Sequence, residues 1–186
     1  MKSFDFSKLE LADCWQITPQ IRRDSRGSFS RIACAREFAE QGLDGNFVQS
    51  NLAVNAKRGT FRGLHFQRPP SREAKLVRCV AGAVLDILLD LRKGSTTFLQ
   101  ATAVRLSDQD GVSLFVPPGV AHGYITEQDG AILVYHHSDY YQPDLEAGVR
   151  YNDPKINLQI PELKNITSIS ERDANFALLP MDFEGL

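Results

Sequence analysis

The residues best suited to chemistry lie in one stretch, Arg58 to Val80, which reads RGTFRGLHFQRPPSREAKLVRCV. GTFRGLHFQ alternates in the manner of a β-strand. The alternation predicts Phe61, Gly63, His65 and Gln67 on one face and Arg62, Leu64 and Phe66 on the other. A loop with two prolines follows, and a second predicted strand, Lys75 to Val80, opens with a lysine. A short turn between them would set His65 and Lys75 on neighbouring strands. A base and a cation held together suit removal of a proton next to a carbonyl, because the cation can hold the negative charge that develops.

Other residues bear on the same chemistry, each with an ordinary alternative. His122 follows the tight turn of PPGVAHGY and also reads as a strand-end histidine bonded to backbone. Tyr135, within ILVYHHS, also reads as a half-buried strand tyrosine. Asp173, within SISERDAN, also reads as a helix cap or a solvated turn residue. Lys75 fits the surface equally well, and Arg58, Arg62, Arg72 and Arg78 fit solvated charges on strand edges. His136 and His137 are adjacent, so a strand turns them to opposite sides and only one can join a pocket.

These side chains need a rigid frame, and the sequence predicts one made of strands. Residues 8–19 are expected to be extended. Asp24-Ser25-Arg26-Gly27 is a turn signal, followed by a predicted strand SFSRIAC, and Ala33–Gln41 reads as a helix stopped by Gly42. Phe47–Ala53 reads as a strand carrying Gln49 and Asn51 on one face. GAVLDILLDLR, FLQATAVRLS, VSLFV, VAHGYIT and AILVYHHSD continue the series, with Gly and Pro turns between them. Beyond Tyr140 periodicity fades. Many short, evenly spaced strands predict an all-β antiparallel jelly-roll barrel with a few short peripheral helices, in a single domain over residues 1–186. Its interior can be a pocket on which inward side chains converge.

Composition narrows the function classes. A formal net charge of −2 gives no reason to expect nucleic acid or an anionic membrane as partner. No apolar run approaches the ~20 residues of a membrane span, and MKSFDFSKLELADCW is too interrupted by charge for a secretory signal. Cys14, Cys34 and Cys79 are odd in number and form no CxxC pair, which favours free thiols in a reducing, cytoplasmic setting.

The order of motifs resembles the nucleotide-sugar 3,5-epimerases typified by dTDP-4-dehydrorhamnose 3,5-epimerase, jelly-roll proteins of the cupin superfamily. The matching pieces are DSRGSF (24–29), FVQSN (47–51), RGLHFQ (62–67), KLVRC (75–79), DILLDLR (86–92), VPPGVAHGY (116–124), VYHHSDYYQP (134–143), NDP (152–154) and SERD (170–173). The resemblance implies a nucleotide-linked 4-keto-6-deoxy sugar as substrate, with His65 as general base and Asp173 as its orienting carboxylate. Lys75 falls on the cation at the C4 oxygen, and Tyr135 on the acid that reprotonates from the opposite face. It implies substrate contacts at Arg26, Phe29, Gln49, Asn51, Arg62, His122, Glu146 and Arg172. It implies no metal and no cofactor, and a homodimer with exchanged N-terminal strands in which Arg26 and Phe29 reach the partner's site.

The chain departs from the family pattern at Arg31, where many members carry glutamate, and at Arg172, where lysine is common. The first departure keeps CDP- and GDP-linked sugars open beside dTDP. Whether C3, C5 or both are inverted is left open, as is a 3,4-ketoisomerase. Two further classes are a metal-dependent cupin and a binding cupin without catalysis. A metal cupin would need a second ligand where His65-Phe66-Gln67 offers glutamine, leaving His122 and Glu73.

Overall fold

The computed structural model describes residues 2–156 and 158–186. Its elements in chain order are β1 (Phe4–Lys8), β2 (Trp15–Pro19), β3 (Arg22–Asp24), β4 (Gly27–Phe29), α1 (Ala35–Ala39), β5 (Gln49–Val54), β6 (Phe61–Gln67) and β7 (Lys75–Ala81). They continue with β8 (Ala83–Asp90), β9 (Ala101–Ser107), β10 (Ser113–Val116), β11 (Val120–Thr126), β12 (Ile132–His137), β13 (Glu146–Gly148), a 3₁₀ turn (Pro161–Asn165) and α2 (Glu171–Ala174). The strands form a six-stranded sheet, β1-β2-β10-β7-β12-β5, and a five-stranded sheet, β13-β6-β11-β8-β9, both antiparallel. A separate two-stranded hairpin pairs β3 with β4. This is the antiparallel jelly-roll architecture that the strand spacing predicts and the cupin-like barrel that the resemblance implies.

Alternation along the strands decides what fills the barrel. Val77, Cys79, Leu114, Val116 and Leu133 from one sheet meet Val84, Leu88, Leu106, Val120 and Tyr124 from the other in one buried cluster. Toward the end where β7 begins and β12 finishes, the lining becomes polar, with Lys75, Tyr135 and His137 in register on β7 and β12. Two apolar layers hold the sheets from outside. Phe38 of α1 packs edge-on to Phe4, Phe6, Phe47 and Phe115. The C-terminal residues Ile160, Leu163, Ile166, Leu179 and Phe183 cover Phe61, Leu64, Ile87 and Ile125. That layer turns the aperiodic end of the chain into a scaffold for α2.

Several expected boundaries move. The strand foreseen through Cys34 ends at Phe29, and the helix occupies Ala35–Ala39 rather than 33–41. The 8–19 stretch is broken by a turn at Asp13 (φ 58°) between β1 and β2. The alternation expected for β6 also fails at its centre. His65 pairs with His122 and Arg62 with Tyr124, so two residues of β6, Gly63 and Leu64, stand opposite the single residue Gly123 of β11. This β-bulge reverses the phase, and Arg62 reaches the same network as Tyr124 instead of the opposite face. Gly63 permits it: its φ is +141°, and a Cβ there would lie 2.5 Å from Gly123 Cα.

Candidate active site

His65 sits on β6 with its ring partly open to solvent. Its Nε2 lies 2.9 Å from Asp173 Oδ1. The other Asp173 oxygen accepts the Gly63 backbone N–H at 3.1 Å. Asp173 comes from α2, where its own backbone N–H donates to the Ser170 side chain at 3.0 Å, closing the first turn as an N-cap. Burial opposes ionisation of this carboxyl, but the bonds from His65, Gly63 and Ser170 outweigh it and hold its pKa below the usual range. An ionised carboxylate at Nε2 fixes the proton on that nitrogen and leaves Nδ1 as the basic atom.

Arg172 brackets the dyad. Its Nη1 meets both oxygens of Glu146 at 2.9 Å, and its guanidinium lies 5.9 Å from the Phe176 ring, which in turn packs edge-on to His65. Its Nη2 stands 3.4 Å from His65 Nε2, at the limit of contact for two donors. Glu146 also accepts the Tyr141 hydroxyl at 2.7 Å, and Tyr141 N–H donates to Gln49 Oε1 at 3.1 Å. Gln49 Nε2 lies 3.4 Å from Asn51 Oδ1.

The facing sheet supplies Tyr135. It is linked to His65 through His122, which pairs with His65 from β11 and whose ring centroid is 5.8 Å from that of Tyr135. His122 Nε2 is 2.8 Å from Asp86 Oδ2, both groups buried. Burial pushes the Asp86 carboxyl up despite the neighbouring histidine and Lys75. Burial also raises Tyr135 well above an ordinary phenol, helped by the charge and hydroxyl of Tyr124. Tyr135 is thus held firmly protonated. Lys75 Nζ donates to the His65 carbonyl oxygen at 3.3 Å and pairs with Glu73 at 3.3 Å.

His65, Asp173, Arg172, Glu146, Lys75, His122 and Tyr135 therefore converge, and Gln49 and Asn51 join them along β5. Arg62 is exposed, its Nε donating to Asn55 Oδ1 at 2.9 Å. Arg26 and Phe29 do not join this group. They lie on the β3–β4 hairpin, where Arg26 pairs with Asp24 and Phe29 is 72 % exposed. Lys75 and Asp173 are buried rather than surface residues, and Arg78 is half-buried against Ser30 rather than an edge charge. His137 is the member of the histidine pair that turns inward, while His136 bonds Ser50. Gln67 is committed at both ends of its amide, to Tyr140 O and Gln142 N. Among the described residues, no three His, Cys, Asp or Glu side chains are grouped so as to hold a metal ion.

Asp86, Asn55, Tyr124, Tyr141 and Phe176 were not singled out as site residues from the sequence. One of them had a legible signal: Asp86 interrupts the apolar run AVLDILL, and a buried acid in a strand requires a partner.

Comparison with known proteins bears on this arrangement. A family model described as dTDP-4-dehydrorhamnose 3,5-epimerase matches residues 8–180. The dTDP-4-dehydrorhamnose 3,5-epimerase of Methanothermobacter thermautotrophicus is 38 % identical over 177 residues, covering 95 % of each chain. A crystal structure of a dTDP-6-deoxy-D-glucose-3,5-epimerase from Legionella pneumophila, in complex with dTDP-4-keto-L-rhamnose, superposes with a TM-score of 0.87 at 32 % identity, covering 94 % of this chain and 92 % of that one. ChmJ, a 3'-monoepimerase from Streptomyces bikiniensis in complex with dTDP-quinovose, superposes with a TM-score of 0.84 at 31 % identity, covering 91 % and 85 %.

Proposed function

The chain belongs to the dTDP-4-dehydrorhamnose 3,5-epimerase family of isomerases, and from that premise we propose that it inverts both C3 and C5 of a dTDP-linked 4-keto-6-deoxyhexose. The observation that carries the reading is the placement of two proton-transfer groups on opposite sheets: the His65–Asp173 dyad at 2.9 Å on one, Tyr135 on the other. Inversion at a carbon next to a ketone needs a base on one face of the ring and an acid on the other. His65 Nδ1 takes the proton from C5 or C3. The C–H electron pair moves into the enolate, whose oxygen collects the charge beside Lys75. Asp173 steadies the imidazolium formed at that moment. Tyr135 then returns a proton to the same carbon from the opposite side.

The outer residues fit the rest of the substrate. Arg62 is exposed and forked for a diphosphate, and Gln49, Asn51, His122, Glu146 and Arg172 frame the sugar. Arg31 is engaged by Ser3 at 2.7 Å and Glu37 at 3.2 Å, so its charge is met locally, in keeping with dTDP as the nucleotide. We read the chain as one domain acting as a homodimer. The β3–β4 hairpin, with Arg26 and Phe29, would enter the partner's site, and the exposed Leu52 and Val54 on edge strand β5 would be covered by the second copy. No described helix is long and apolar enough to cross a membrane. The unpaired thiols of Cys14, Cys34 and Cys79 support a cytoplasmic placement.

The test is incubation with dTDP-4-keto-6-deoxyglucose in deuterium oxide, followed by ¹H NMR. Signals from H3 and H5 should both disappear, at a rate unchanged by EDTA. Retention of both protons overturns the assignment, and loss of one alone makes the protein a monoepimerase. CDP- and GDP-linked analogues in parallel identify the nucleotide.

A further inference from the structure

Two residues remain outside this mechanism although they sit against it. Glu73 precedes β7 by two residues, and His137 ends β12. Both side chains are about nine-tenths buried. His137 Nδ1 is 2.7 Å from Glu73 Oε1, and Asn51 Nδ2 lies 3.3 Å from His137 Nε2. The second Glu73 oxygen is 3.3 Å from Lys75 Nζ. The polarity of this chain is fixed by its ends. The Asn51 amide donates to Nε2, so the neutral ring carries its proton on Nδ1 and donates to Glu73. Glu73 then accepts from both sides, from the ring through Oε1 and from the ammonium through Oε2.

Lys75 has three N–H donors. One goes to the His65 carbonyl and one to Glu73, and among the described residues the third has no acceptor. A lysine side chain has four rotatable bonds, so an ammonium that must meet a developing oxyanion has to be held in place beforehand. We propose that Glu73, anchored by His137, is a positioning residue that holds Lys75 at the substrate's C4 oxygen and serves there as its counter-ion. The inference rests on the enolate mechanism given above and adds a part to it. Asn51, an expected substrate contact, stands at the far end of the chain, so substrate binding and placement of the cation share one hydrogen-bonded path.

The charges around Lys75 set the expected sign. Besides Glu73 and His137, Asp86 on β8 acts on it through its charge, and His65 on β6 meets it through its backbone carbonyl. Asp86 is pushed toward its neutral form by burial and is already paired with His122. Glu73 is held ionised, its burial outweighed by His137 and Lys75, and it is the anion in contact with the ammonium. Without that charge, a buried ammonium loses its proton more readily as pH rises.

The test uses the full-length protein with Glu73→Gln and Glu73→Asp. In Glu73→Gln, kcat should fall about tenfold or more with KM within about twofold, and the alkaline limb of the kcat profile should move to lower pH by about one unit or more. Exchange at C3 and C5 should slow by the same factor, because both enolates place their charge on one oxygen. Glu73→Asp keeps the charge and shortens the reach, so kcat should fall while the limb stays near its wild-type position. This variant also serves if the glutamine protein does not fold. Adding Glu73→Gln to Lys75→Met should cost little more than Lys75→Met alone. A readout without substrate separates this inference from the assigned activity: NMR titration of ¹³C-labelled lysine should show Lys75 losing its proton at lower pH in Glu73→Gln. An unmoved Lys75 titration, or exchange slowed at one carbon only, overturns the proposal.

Discussion

Replacing Asp173 with asparagine changes one oxygen of the dyad to an amide nitrogen and should abolish most of the activity without unfolding the protein. The reason lies in the two bonds that the carboxylate accepts. Gly63 N–H, at 3.1 Å, is a fixed backbone donor in the bulge of β6 and demands an acceptor. The asparagine oxygen must serve it, which turns the NH₂ toward His65 Nε2 at the former 2.9 Å position. Nε2 then has to accept, the ring proton moves to Nδ1, and Nδ1 is the atom that must take the substrate proton. Arg172 Nη2, 3.4 Å from Nε2, favours the same wrong tautomer. An analogous change in a serine protease triad costs on the order of 10⁴ in kcat. A loss of 10³- to 10⁴-fold, about 4–5.5 kcal/mol in the barrier, is expected here. Deuterium incorporation at C3 and C5, followed by ¹H NMR in deuterium oxide, measures it, with circular dichroism to show that the fold is kept. A folded variant within tenfold of wild type would refute the tautomer reasoning and remove Asp173 from the mechanism.

Tyr135→Phe should still permit exchange at one carbon through His65 while net inversion fails; unimpaired inversion would place the acid elsewhere. Gly63→Ala should lower stability by about 3 kcal/mol or more, combining left-handed strain with a clash at 2.5 Å against Gly123, and thermal unfolding should shift by roughly 6–12 °C. Asp90→Asn tests a structural charge: burial opposes ionisation of Asp90, but Arg92, Ser95 and Thr97 outweigh it and bring its pKa to about 2. A depressed carboxyl stabilises the fold above its unfolded pKa of ~3.8 and loses that contribution as pH falls toward its folded value. The variant should therefore be about 2 kcal/mol less stable at pH 7, with the deficit closing by about pH 2 in urea melts.

How far the sequence discloses this site follows from the physics of each element. The barrel was legible because period-two alternation and Gly or Pro turns are local properties, and β8, β11 and β12 fall within one or two residues of their expected spans. Alternation also carries a hidden assumption, that a strand keeps its phase. β6 breaks it, since its bulge depends on the close approach of Gly63 to Gly123, sixty residues away, and only that approach brings Arg62 onto the network of Asn55 and Tyr124. Asp173 was out of reach of residue patterning for a related reason. Its four-residue helix has no periodicity to read, and the covering layer of Ile160, Leu163, Ile166 and Leu179 that carries it forms only against the finished sheet. The resemblance to a family implies a role for it where local pattern is silent.

The same division explains why the charged partners were missed. A strand pattern tells which side of a sheet a residue occupies, but not which residue of the other sheet or of a loop it meets. From the sequence Glu73 reads as a possible metal ligand and His137 as one of an ambiguous pair, yet in the fold His137 bonds Glu73 and Glu73 pairs with Lys75. The proposed chemistry requires groups from two sheets to face one ring from its two sides, so the decisive contacts are those that cross between distant segments. His65 bonds a residue 108 positions away, and His137 one 64 positions away. A barrel reconciles these demands, because it lets each strand present a single side chain inward while backbone pairing fixes how far apart those side chains stand. Loosening one such contact should therefore disturb proton transfer before it disturbs the fold, which is the common logic of Asp173→Asn at the base and Glu73→Gln at the cation.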